Sequence, residues 1–138
     1  MPSNIDLLIK NIMQYIDYLK NQSSITSDPK LNELLTKFRA GYNLLTTTKP
    51  QMILEYFVNY VYPHKDMIMA SNESYFLDRD YTEEADGNEA SLTGALRIKD
   101  MWKSKFTEEN KKTTFTYFQV FIKLTERCLA DHIEKFSK

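Results

Sequence analysis

From Thr107 to Lys138 the chain carries neither glycine nor proline, and its apolar residues recur every three or four positions. Phe115, Phe118, Ile122, Leu129, Ile133 and Phe136 form one stripe, with Phe121, Leu124 and Cys128 as a second beside it. A strand repeats every two residues, so this spacing reads as one long helix from a Thr107 cap to about residue 136. "TTFTYFQVFI" inside it is rich in β-formers, but the helical period runs on beyond that stretch. A helix apolar on so much of its circumference is expected at the centre of a bundle, packed on at least two neighbours.

The rest of the chain follows the same economy. Three Gly and four Pro among 138 residues are too few for the tight reversals of a β-sandwich or barrel. Ile5, Leu8, Ile9, Ile12, Met13, Ile16 and Leu19 predict a first helix over 4–20 behind Ser3 and Asn4. "NQSSITS" reads as a polar connector. Asp28 and Pro29 then open a second helix to about residue 46, with Leu31, Leu34, Leu35, Phe38, Tyr42 and Leu45 on its stripe. Pro50 opens a third helix and Pro63 stops it. Short helices are expected over 63–78, bent at Ser71 and Asn72, followed by an acidic loop to about residue 90. Leu92, Leu96, Lys99, Trp102 and Phe106 mark a fifth helix. The expectation is all-α: one domain over 1–138, a bundle of five or six helices with a central C-terminal helix and an acidic loop near 78–90.

Composition narrows the function classes. An apolar fraction of 42% with nine Tyr and eight Phe supports one packed core rather than disorder. The net charge of -1 argues against wholesale binding to phosphate backbones or acidic membranes. Cys128 is the sole cysteine, the N-terminus has no secretory pattern, and no run approaches the roughly 18 apolar residues of a membrane span. A cytoplasmic protein without a membrane partner is expected.

No catalytic constellation is visible. Asp78, Asp80, Thr82, Glu84, Asp86 and Glu89 occupy the ligand positions of a calcium loop, but Glu83 stands where the sharp turn needs glycine. Cys128 and His132 share a helix face and lack two further zinc ligands of their own kind. The same cysteine lies in an apolar stripe, where a thiol is inert. No catalytic residue, metal or cofactor is therefore assigned.

Two binding readings remain. Tyr75, Phe76 and Leu77, with Met67 and Met69 before them, offer apolar side chains on short elements, followed by a rim of acids. They form either an anchor for a protein partner or a plug closing one end of the bundle. Arg97, Lys99, Lys103, Lys105, Lys111 and Lys112, interleaved with Trp102 and Phe106, form a basic patch suited to phosphates and stacked bases. Asp100, Glu108 and Glu109 reduce its excess charge, and Trp102 also fits a core stripe.

The order of "YPHKDMIMASNESYFLDRDY", "LRIKDMWKSKF" and "FTYFQVFIKL" resembles small helical proteins of large nucleocytoplasmic DNA viruses. The likeness covers about residues 55–125, and the Lys, Asn, Thr and Tyr usage is similar to that of their AT-rich genomes. It implies an origin and a setting, a viral protein acting on a viral or host partner in host cytoplasm or virion. It implies no reaction.

Overall fold

The computed structural model describes residues 3–77 and 99–137, with side chains described as far as Asp131. Every regular element among them is helical, so the fold class is all-α.

Helix α1 (Asn4–Lys20) starts at a reciprocal cap: Ser3 Oγ accepts from the Asp6 N–H at 3.2 Å, and Asp6 Oδ2 accepts from the Ser3 N–H at 3.3 Å. Leu8, Ile12, Ile16 and Leu19 face inward at helical spacing. The expected polar connector contains a single turn, α2 (Ser23–Thr26), which buries Ile25 completely. One apolar residue amid six hydroxyl-bearing or amide neighbours is too weak a periodic signal to announce a helix. Helix α3 (Pro29–Thr48) begins where Asp28 Oδ1 accepts from the N–H groups of Lys30 and Leu31. Lys49 alone joins it to α4 (Pro50–Tyr56).

Pro63 shapes the next segment. It lacks the N–H that would bond four residues back, so the ladder widens to a π turn at Phe57–Val61 and tightens to a 3-10 turn at Tyr62–His64. Helix α5 (Lys65–Met69) follows and ends in a Schellman arrangement, with Asn72 N–H on Met67 O and Ser71 N–H on Ile68 O. Ser71 takes φ 54°, the left-handed conformation usually given to glycine. One turn, α6 (Ser74–Leu77), closes this part. After residue 98 come α7, described over 99–104, and α8 (Glu108–Ser137). Thr107 and Asn110 cap α8 reciprocally, each side chain accepting from the other's N–H.

The described residues thus fall into more helical pieces than five or six, because α2, α5 and α6 are one-turn or near one-turn elements. Helix α8 lies along α1 and also meets α5 and the π turn. Together with α6 and α7 they form the main core around Leu8, Ile12, Phe57, Ile68, Phe76, Trp102, Phe115 and Phe121. A smaller cluster of Leu19, Ile25, Leu31, Leu35 and Met101 ties α1 to α2, α3 and α7. No helix among the described residues is long and apolar enough to cross a membrane.

Candidate functional site

The α5–α6 corner carries the first set of sequence-derived site residues, and the structure corrects the exposed-anchor reading of two of them. Tyr75 is 1% exposed and Phe76 2%. The Phe76 ring stacks on Trp102 at 4.4 Å between centroids and meets Phe115 and Phe118 edge-on. Tyr75 packs on Phe76 and Phe118, with the His64 ring 5.5 Å away. The physical cause is the sharp bend before α6. Asn72 Oδ1 accepts from the Ser74 N–H at 3.0 Å, and Gln119 Nε2 donates to Ile68 O and to Ser71 Oγ, each at 3.2 Å. That bend turns α6 inward against α7 and α8. Leu77 and Met67 are half-buried against the core, and Met69 alone of the five stays well exposed, at 44%.

The basic set is dispersed in effect. Lys105 Nζ lies 3.8 Å from Asp28 Oδ2, and Lys111 Nζ lies 3.5 Å from both Glu73 Oε1 and Glu108 Oε1. Lys103 and Lys112 are exposed, Lys99 is half-buried, and Arg97 lies outside the described residues. Trp102 cannot act as a stacking platform for bases, because its ring is sealed in the core and its Nε1 donates to Glu73 Oε1 at 3.0 Å. Glu73 therefore serves an indole and an ammonium group together, a structural task.

Cys128 is buried, and burial followed by the nearby Asp131 carboxylate pushes its thiol above the ordinary value. Asp131 is itself engaged, accepting from Asn4 Nδ2 at 2.7 Å and so tying the start of α1 to α8. The side chain of His132 and the segment near 78–90, where an acidic loop is expected, lie outside the described residues. Among the described residues no three His, Cys, Asp or Glu side chains gather as a metal site.

What the structure exposes lies elsewhere. Phe38 is 59% exposed and Leu44 65% on α3, with Met52 at 48% and Tyr56 at 42% on α4. Phe38 was expected on the buried stripe, and its neighbours on that stripe, Leu35 and Tyr42, are indeed covered. The helical phase of Phe38 is a core phase, but more than half of its surface stays exposed. Leu44 stands off the stripe, and that off-phase position was a readable sign of a second apolar surface on α3. No protein-family model, curated protein or solved structure matches this chain.

Proposed function

We propose that the chain is a non-enzymatic protein–protein recognition module, a bundle built around its last helix, that meets a viral or host protein through apolar side chains. One observation carries the reading: Phe38, Leu44, Met52 and Tyr56 stand between 42% and 65% exposed on the α3–α4 hairpin. Scattered single apolar residues are ordinary on a surface, but four large ones on two adjoining helices are interface material. Covering such a side chain is worth roughly 1.5–3 kcal/mol, and aromatic and Met side chains are the usual energetic centres of protein interfaces. Met69, the exposed member of the set read from the sequence, adds a further contact point at the α5 end. The viral setting, in host cytoplasm or virion, is supported by the sequence resemblance.

The test is capture of a partner from infected-cell extract on the immobilised chain, with and without nuclease. The expected result is a protein retained after nuclease treatment and lost by Met52→Asp with Tyr56→Asp, while the circular dichroism of the variant stays that of the parent. Capture indifferent to both substitutions and to Met69→Asp would refute the apolar reading. Capture abolished by nuclease would transfer the function to Lys103 and Lys112, the exposed members of the basic set.

A further inference from the structure

One edge of the apolar stripe of α3 is only partly covered. Leu34, Phe38, Gly41 and Leu45 follow one another at spacings of four, three and four, the pattern by which helices pair along a seam. Leu34 and Leu45 are half-buried at its ends, whereas Phe38 and Gly41 in the middle are exposed. The line is therefore most open at its centre.

Gly41 is the informative residue. Glycine inside a helix is less favourable than alanine, because it gains backbone freedom on unfolding and supplies no side chain to pack. Among the described residues nothing compensates. A Cβ built at Gly41 meets no atom within 4 Å, so no element among the described residues requires the small residue. What the missing side chain leaves is a notch open to the outside, one turn from an uncovered phenylalanine.

We propose that α3 pairs with α3 of a second copy of this chain, antiparallel about a two-fold axis, each Phe38 seated over the other copy's Gly41. An axis passing between Arg39 and Ala40 sets residue 38 opposite 41 and residue 34 opposite 45 in both directions at once. Large then faces small at the centre, and leucine faces leucine at each end. The line is complementary to itself, which is what a two-fold interface between identical chains demands. A notch without a knob would need its filler from elsewhere. Here the same helix supplies both, at the spacing that brings them together. One helix face buries little area, which places the pair among weak, concentration-dependent associations. The inference does not rest on the partner reading above, and purified chain alone decides it.

The experiment is sedimentation equilibrium of the full chain from low micromolar to near-millimolar concentration, with Gly41→Leu, Gly41→Ala and Phe38→Ala beside the parent. The expected result is a reversible monomer–dimer equilibrium in the parent and a dissociation constant raised by about tenfold or more in Gly41→Leu and Phe38→Ala. Gly41→Ala guards against misfolding as an explanation. It should raise the melting temperature of the dilute chain, because alanine suits a helix and its Cβ meets open space, while weakening the pairing. Stability up and association down is a combination that damage to the fold does not produce. A parent that stays monomeric throughout, or a Gly41→Leu chain that pairs as tightly as the parent, would overturn the proposal.

Discussion

The end of the bundle closed by α6 and α7 and the α3–α4 hairpin are built from the same materials, large apolar residues on helical stripes, with opposite outcomes. At the closed end Phe76, Trp102 and Phe115 contact one another and disappear from solvent. On the hairpin Phe38 has the same helical phase as buried Leu35 and Tyr42 but keeps most of its ring in water. An apolar stripe states which side of a helix faces inward. It does not state whether another element arrives to cover every position. At the closed end α6 is turned inward by the Ser71–Asn72 bend, and no comparable element among the described residues covers the middle of α3.

Substitution energies should separate the two regions most strongly at their aromatic centres. Trp102→Ala is expected to lose about 3–5 kcal/mol, since a large void among rigid rings cannot fully collapse. Phe38→Ala, measured on dilute chain, should lose less than about 1 kcal/mol. Chemical denaturation of both variants checks the contrast, and equal losses would show that α3 is covered in solution.

A pH effect comes next, at Tyr15 on α1 and at Tyr42 on α3. Burial, opposed by a hydrogen bond with Thr114, pushes the Tyr15 hydroxyl up, and burial does the same to Tyr42 on α3, whose hydroxyl donates to Ile9 O at 2.8 Å. The folded chain thus holds these protons more tightly than the unfolded chain. Their contribution is whole below the ordinary tyrosine value of 10.0 and is lost as pH climbs through it toward the raised values. The melting temperature should fall on the alkaline side, and Tyr15→Phe, which keeps the ring contacts with Tyr117, Phe118 and Phe121, should flatten that fall. A parent melting temperature unchanged between about pH 9 and about pH 11 would contradict this.

Two buried polar side chains of α8 give smaller effects of opposite sign. Asn110 is saturated: its Oδ1 accepts from Ser24 Oγ, and its Nδ2 donates to Tyr18 and Gln22. Asn110→Ala should lose about 1–3 kcal/mol, because those partners are left without it. Thr125 is equally buried, and its Oγ1 has no hydrogen-bond partner among the described residues. Thr125→Val keeps the shape and removes the stranded hydroxyl, so a gain of about 1 kcal/mol is expected. Thermal denaturation measures both, and a Thr125→Val chain less stable than the parent would mean the hydroxyl is satisfied in solution.

Helix starts were legible because caps are local. Ser3, Asp28 and Thr107 act within three residues of themselves, and Pro29, Pro50 and Pro63 punctuate the chain through their own missing N–H groups. The same holds for the bend at Ser71 and Asn72, and for the helical reading of "TTFTYFQVFI", where periodicity outweighed β propensity. Ile25 shows the limit of local signals, since a single apolar residue in a hydroxyl-rich stretch has no period to read.

The candidate site was legible only in part, and for a definite reason. The sequence marks Met69, Tyr75 and Phe76 alike as anchor or plug, yet Met69 is exposed and the two aromatics are core, while Phe38 fits a core stripe and stays largely exposed. Amino-acid type and spacing set which residues share a helix face, because those depend on positions three and four apart. Cover and charge neutralisation depend on elements distant in the chain: Trp102 on Glu73, Lys105 on Asp28, Asn110 on Tyr18 and Gln22. The sequence by itself determined an all-α fold class and where most of the described helices begin. Which aromatic rings were sealed, which lysines were neutralised and which face of α3 was left open were decided by the tertiary structure, because only there do groups far apart in the chain come within contact distance.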